Sequence, residues 1–181
     1  MFAQNINPNG FNKFYNDNGE ITSEGTMKDG LPVGVWKSFF NNGTLKSVGE
    51  RQGEKVVGAW KFFNEKGVLS QELTYFNNKK NGLHIVYDSL GNIIQKQQYV
   101  NDTLDGDYFT YYPDGTIKET GNFVKGKKTG KVISYGEDGR IIAHQQFDDG
   151  FLKQETKINR FDENGDKTGL WVSYHPDGKI K

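Results

Sequence analysis

Glycine and apolar residues recur along the chain with one fixed period. The stretch GVWKSFFNNGTL at residues 34–45 returns 24 residues later as GAWKFFNEKGVL at residues 58–69. A second glycine lies nine residues into each unit. Self-similarity at a fixed spacing is typical of a repeat architecture. The predicted units start at Gly10, Gly34, Gly58, Gly82, Gly106, Gly130 and, after a longer gap, Gly169.

Large apolar residues recur with the same period as these glycines. Position five of every unit is aromatic: Tyr15, Phe39, Phe63, Tyr87, Tyr111, Tyr135 and Tyr174. Position eleven is Ile or Leu: Ile21, Leu45, Leu69, Ile93, Ile117, Ile141 and Ile180. Position seventeen is mostly aromatic, as in Tyr75, Tyr99, Phe123 and Phe147. Since alternate strand residues face opposite sides, positions eleven and seventeen are predicted to share one face with position five. Position two falls on the other face unless a bulge intervenes.

Each unit is predicted to be a β-hairpin. In the fifth unit, an aromatic and threonine-rich strand at 107–112 leads into the turn PDG at 113–115 and a return strand at 116–124. Proline presets φ, aspartate bonds its own backbone, and glycine takes a positive φ. The fold class is therefore all-β: an elongated, twisted, antiparallel single-sheet solenoid, a meander of β-hairpin repeats without sizeable helices.

The domain prediction is an N-terminal leader remnant or flexible start at 1–9, followed by one repeat array at 10–181. A 15-residue insertion falls between 148 and 168, and residues 151–161 within it are predicted to form one long strand. The alternative is a lengthened edge or capping hairpin. The opening MFAQN resembles the end of a bacterial secretory signal, with Ala3 as its last residue. This predicts a periplasmic or extracellular location, and a cytoplasmic one is the alternative.

The amino-acid composition argues against nucleic-acid binding, metal binding and catalysis. Lys plus Arg and Asp plus Glu each number 23, whereas nucleic-acid binders usually carry a basic excess. There is no cysteine, and the three histidines occupy different unit positions without the spacing of metal ligands. DENGD at 162–166 lacks the spacing and closing glutamate of a calcium loop. The sequence therefore predicts no enzyme, no cofactor, no metal site and no nucleic-acid partner.

Two sets of side chains are candidate binding residues. Trp and Tyr are preferred interface anchors, so the position-two row is a candidate partner-binding surface: Trp36, Trp60, Tyr108 and Trp171. The alternative is that this row only packs the sheet. A basic cluster could contact anionic lipid, with a solvated turn as the alternative: Lys125, Lys127, Lys128 and Lys131.

The pattern G-x-W-x-x-(F/Y)-(F/Y)-x-x-G-x-(I/L), repeated from residue 10 to 181, resembles the MORN (membrane occupation and recognition nexus) repeat variant family. Bacterial arrays of this kind are often labelled YwqK-like antitoxin components. Asn12, His84 and Val132 depart from the Trp of the pattern. The resemblance implies an elongated sheet of hairpins and a role in binding, without catalytic residues.

The predicted function is therefore a protein-binding module, with an antitoxin role as one form. The alternatives are an envelope protein that binds glycans or lipid surfaces, and a purely structural spacer. Unpaired sheet edges also allow self-association.

Overall fold

A computed structural model describes residues 5–173 and residue 180. The predicted signal end at Ala3, and Tyr174, His175 and Gly178 of the last unit, lie outside the described residues. No helix in the described part is long and apolar enough to span a membrane. The strands are β1 (Phe11–Tyr15), β2 (Ile21–Lys28), β3 (Leu31–Phe39), β4 (Leu45–Gln52), β5 (Lys55–Phe63), β6 (Leu69–Phe76), β7 (Lys79–Tyr87), β8 (Ile93–Val100), β9 (Thr103–Tyr111), β10 (Ile117–Val124), β11 (Lys127–Tyr135), β12 (Ile141–Asp148), β13 (Phe151–Lys157), β14 (Arg160–Phe161) and β15 (Lys167–Thr168).

Strands β1 to β13 follow chain order in one antiparallel sheet of 13 strands, and β14 pairs with β15 in a separate two-stranded sheet. The predicted all-β meander of hairpins is confirmed. The chain also divides into two compact units. The first unit runs to Ile93 and includes Gln98–Thr103, and the second comprises Ile94–Gln97 and everything from Leu104 onward. These two compact units are called the first unit and the second unit below, and each contains several of the hairpin repeats. Each is described by itself.

Two kinds of turn join the strands. Within a hairpin, the amide of Phe40 donates to the carbonyl of Thr44, and the amide of Gly43 donates to the carbonyl of Phe40, both at 2.9 Å. Gly43 has a φ of 79°, so the loop is a type I turn closed by a left-handed glycine. Between hairpins, two consecutive residues such as Asp29 and Gly30 both have positive φ. This is the type I′ geometry that matches the twist of the flanking strands.

The glycine at the start of a hairpin repeat, such as Gly34, forms a bulge within a strand and not a turn. Gly34 and Gly58 both have a φ of 69°, and the strand register slips beside them: Gly25 is opposite Trp36, but Thr26 is opposite Val33. Such a slip is a β-bulge. At this bulge the indole N–H of Trp36 donates to the carbonyl oxygen of Thr26 at 3.2 Å. The glycine of the repeat pattern therefore allows the bulge, and the tryptophan stabilises it with this hydrogen bond.

A second bulge in each hairpin changes which residues share a face. Ser38 is opposite Ser47 but Phe39 is opposite Leu45, so Lys46 is an extra residue in β4. Positions five and eleven consequently lie side by side. The predicted grouping of positions eleven and seventeen is wrong, because the extra residue reverses the parity between them. Position seventeen instead contacts position two, as in the Tyr108–Phe123 pair, whose ring centroids are 4.9 Å apart.

We call the two sides of the sheet the tryptophan face and the tyrosine face. The tryptophan face carries position two, and the tyrosine face carries position five. The most buried apolar side chains of β1–β13 all lie on the tryptophan face: Trp36, Leu73, Tyr108, Val132 and Ala143. The core of each unit therefore runs along this face, perpendicular to the strands.

The insertion differs from its prediction. A single strand over 151–161 is wrong, because β13 ends at Lys157 and Asn159 turns the chain with a φ of 55°. Asn tolerates this left-handed conformation better than most residues. Ile158 is only 1% exposed, and its amide donates to the carbonyl of Ile142 at 2.8 Å. Burying this isoleucine fixes the point at which the chain leaves the sheet edge and enters the β14–β15 hairpin.

The bulge glycines give a first testable expectation. Gly58→Ala should destabilise the protein by about 1–2 kcal/mol, the usual cost of a left-handed conformation for a residue with a Cβ. The cost is conformational, since the nearest atom to an added Cβ is Glu50 Oε2 at 3.8 Å. Urea unfolding measures the change. Gly58→Asn is the matched control and should lose less, so equal losses in the two variants would contradict the bulge account.

Candidate functional site

The predicted aromatic row is built on glycines. Trp36 has Gly25 and Gly49 as its cross-strand neighbours. A Cβ added to Gly25 would lie 2.5 Å from the ring of Trp36, and one added to Gly49 would lie 2.1 Å from the ring of Trp60. Real Cβ contacts are not that short, so each indole ring occupies the space that a side chain would otherwise fill. These glycines are needed for space, whereas Gly58 is needed for its φ.

The four residues of that row differ in exposure, and one of them lies outside the large sheet. Trp36 is 8% exposed and Tyr108 is 2% exposed, so neither stands out as an anchor. Trp60 is half-buried. Trp171 follows β15 outside the large sheet and packs edge-on against Phe161, with ring centroids 4.9 Å apart. The prediction that Trp171 shares a register with the others is wrong, because the β13 turn and the short hairpin carry it away from the strand ladder.

The four lysines of the predicted basic cluster do not form one patch. Lys128 lies on the tryptophan face, 4.9 Å from the ring centroid of Tyr108, and its Nζ is 2.8 Å from Glu119 Oε1. Lys127 pairs with Asp149 at 2.6 Å. Lys131 adjoins Val132 on the opposite face, and Lys125 lies in an exposed turn. Contact with anionic lipid stays a prediction.

Glu119 is the centre of a half-buried polar cluster in the second unit. Its Oε1 accepts hydrogen bonds from the Tyr108 hydroxyl at 2.6 Å and from Lys128 Nζ at 2.8 Å. Burial opposes ionisation of Glu119, but the hydrogen bonds from Lys128 and Tyr108 prevail and lower its pKa. Burial, with the hydrogen bond to Glu119 and its negative charge, raises the pKa of Tyr108. The cluster therefore holds an ionised carboxylate, a lysine and a neutral phenol at neutral pH.

Two histidines, His84 and His144, lie in the described part of the chain, one in each compact unit. His84 is buried, its Nε2 is 3.2 Å from Gln71 Oε1, and burial together with the charge of Lys80 lowers its pKa. Burial and the charge of Lys131 likewise lower the pKa of half-buried His144. Within the described residues, no three His, Asp or Glu side chains come together as they would around a metal ion. DENGD forms a hairpin turn, in which Asp162 Oδ1 accepts from the amides of Asn164 and Asp166.

An open groove on the tyrosine face of the first unit was not predicted. It has a volume of about 480 Å³. Glu24 lies between Lys13 and Lys37, at 3.9 Å and 3.3 Å. Phe11 and Val35 beside them are 58% and 62% exposed. The groove is lined by Phe11, Glu24, Thr26, Val33, Gly34, Val35 and Lys37. Only the strand register brings these residues together, and no single sequence window contains them.

The sheet of glycine-bulged hairpins defines the class: a β-hairpin repeat protein. The family model described as MORN repeat variant matches residues 32–51, 56–77, 80–101, 104–125 and 167–181. These segments make up more than half of the chain, which therefore belongs to the MORN repeat variant family. The structural repeat also continues outside the matched segments, since β11 and β12 keep the unit geometry, with a φ of 75° at Gly130.

Comparisons with other proteins add little. No curated protein matches this chain. Among solved structures, a mutant of S. aureus TarM in complex with fondaparinux, alpha-GlcNAc-glycerol and UDP is similar over 62% of this chain. The identity is 9% and the TM-score is 0.29, and the aligned part spans only 20% of TarM. A likeness at this TM-score carries no argument about fold or function.

The Glu119 cluster predicts a pH dependence of stability. The pKa of Glu119 is lower in the folded protein. Its stabilisation is therefore present above the unfolded pKa and lost as pH falls through the folded one. Glu119→Gln should cost about 1–2 kcal/mol at neutral pH, and the difference from wild type should shrink as pH falls from about 5 to about 3. Urea unfolding across this range measures it.

The matched control is Glu137→Gln, which removes an exposed carboxylate from a turn of the same unit. We expect this variant to follow wild type at every pH. A Glu119→Gln deficit that stays constant down to pH 3, or grows, would refute the assignment of an ionised, stabilising carboxylate.

Proposed function

We propose that this protein is a non-enzymatic, protein-binding member of the MORN repeat variant family. Its contact surface is the groove on the tyrosine face of the first unit. The observation that carries the proposal is the exposure of Phe11 and Val35 beside the paired charges of Lys13, Glu24 and Lys37. Apolar surface rimmed by polar groups is typical of protein interaction sites.

The strands hold these side chains in fixed positions. Phe11 is the cross-strand partner of Thr26, and Glu24 is the partner of both Lys13 and Lys37. A partner that binds here meets a surface that is already ordered, so little conformational entropy is lost on this side of the interface. Phe11 has a large apolar side chain, which suits it to serve as the central anchor.

The charges favour a particular kind of partner. Glu24 is only 16% exposed and is neutralised by two lysines that are each 45% exposed. Lys13, Glu24 and Lys37 together therefore present one net positive charge and several free N–H donors to solvent. We expect the partner to insert apolar side chains against Phe11 and Val35 and to place carboxylates near Lys13 and Lys37.

The antitoxin role implied by the sequence resemblance is a narrower form of this proposal. An antitoxin that neutralises its toxin by direct contact binds it through a surface, and the groove is a surface that is already ordered. A toxin protein with an acidic, apolar segment is accordingly one partner to test.

The test is affinity capture with the tagged protein, followed by titration calorimetry with the captured protein after its purification. Phe11→Ser combined with Val35→Glu should weaken binding at least tenfold, since the centre of an interface carries most of its energy. Lys37→Glu should also weaken binding and reduce its salt dependence. The matched control is Phe151→Ser, which removes a phenylalanine that is 68% exposed on β13.

We expect the control to bind as wild type does. The proposal fails if the Phe11, Val35 variant keeps its fold and captures the same protein with the same affinity. It also fails if Phe151→Ser and the groove variant lose binding equally, because the contact would then lie elsewhere or be a general consequence of lost apolar surface.

A further inference from the structure

A second groove lies in the second unit and has no part in the proposed protein contact. It has a volume of about 520 Å³ and includes Thr110, Glu119 and Ser134. These three residues are direct cross-strand neighbours, since Glu119 is opposite Thr110 on β9 and opposite Ser134 on β11. They form a polar row across three adjacent strands, beside Tyr112 and Lys118.

The polar atoms of this row are largely free of protein partners. Glu119 Oε1 accepts from Tyr108 and Lys128, whereas Oε2 accepts no hydrogen bond from the described residues. The hydroxyls of Thr110 and Ser134 likewise make no hydrogen bond within the described part of the chain. These three atoms have no protein partner among the described residues, and none of them is buried. They are therefore accessible to a ligand in the groove.

In the first unit, the polar groups at two of these positions bond to each other. Ser38 and Ser47 are equivalent cross-strand neighbours there, and their hydroxyl oxygens are 2.7 Å apart in a mutual hydrogen bond. In the second unit, Thr110 and Glu119 occupy the positions of Ser38 and Ser47. Ser134 occupies the position of Phe62, which is opposite Ser47 in the first unit. The difference between the units is therefore one of available hydrogen-bonding groups, on the same backbone geometry.

Tyr112 adds a positioned aromatic ring. Its hydroxyl donates to the carbonyl oxygen of Tyr135 at 2.9 Å, which ties the ring across two hairpins. Lys118 Nζ lies 5.6 Å from the ring centroid of Tyr112. The apolar side chains of Ile94 and Ile142 also line the groove. An aromatic ring beside a row of acceptors and hydroxyls suits a ligand with apolar C–H surfaces and many hydroxyl groups.

We propose that this groove binds a neutral oligosaccharide. Sugar hydroxyls would donate to Glu119 Oε2 and exchange hydrogen bonds with Thr110 and Ser134, while the C–H face of one ring packs on Tyr112. Adjacent strands are about 4.8 Å apart, so the row spans roughly 10 Å. That length suits two or more linked sugars rather than one. Lys128 is paired with Glu119 and Lys118 lies over the ring of Tyr112, so the row itself offers hydroxyls and one carboxylate oxygen and requires no charge on its ligand.

The probes are maltotriose, cellotriose and chitotriose, each titrated into the full protein and followed by amide chemical shifts and calorimetry. We expect at least one to bind and to shift amides of β9, β10 and β11. Thr110→Val with Ser134→Ala, and separately Tyr112→Leu, should each weaken that binding at least tenfold. Glu119→Gln should also weaken it, because the amide nitrogen at the Oε2 position no longer accepts.

The matched control is Ser38→Ala with Ser47→Ala, which removes the two hydroxyls at the first-unit positions of Thr110 and Glu119 and should leave sugar binding unchanged. Circular dichroism confirms that each variant is folded. The proposal is overturned if none of the three sugars produces shifts at millimolar concentration. It is also overturned if binding survives in the folded Thr110, Ser134 and Tyr112 variants. Phe11 and Val35 take no part, so loss of the protein partner and loss of sugar binding are separate results.

Discussion

The packing of a position-two side chain against the glycine of a neighbouring strand is the interaction on which each unit depends. A single layer of sheet has no second layer to cover it, so large side chains must shield the backbone themselves. Trp36 does so over Gly25 and Trp60 does so over Gly49. The indole N–H of Trp36 also donates a hydrogen bond to the carbonyl of Thr26 at the bulge. Space for the ring, the left-handed glycine and the hydrogen bond are parts of one arrangement, which recurs one period later at Gly49, Gly58 and Trp60.

This arrangement makes the two faces unequal. The tryptophan face is occupied by its own packing, and its most buried members have little surface left to offer a partner. The tyrosine face is held by the same strands but keeps Phe11 and Val35 exposed in the first unit. Where the tryptophan face departs from the pattern, at Glu119 between Thr110 and Ser134, it gains free polar groups. The two proposed binding surfaces therefore lie where side chains are not used in the packing of the repeat.

The period, the hairpins and their turn glycines could be predicted from the sequence, because each depends on residues close together in the chain. The faces could not, because one bulge residue such as Lys46 reverses the parity of a strand. The position of Trp171 depends on the turn at Asn159, and a single asparagine permits a positive φ without predicting one. The charge clusters were missed for a related reason: Lys128 meets Glu119 and Tyr108 only through the register of three strands.

The most direct test of this account is a double-mutant cycle between Gly49 and Trp60, measured by urea unfolding. Gly49→Ala should destabilise the protein by about 1–3 kcal/mol through overpacking, because the new Cβ would lie 2.1 Å from the Trp60 ring. In a Trp60→Leu background the same change should cost far less, giving a coupling energy above about 1 kcal/mol. Additive effects of the two substitutions would show that the ring does not rest on the glycine, and would contradict the interaction on which the two faces depend.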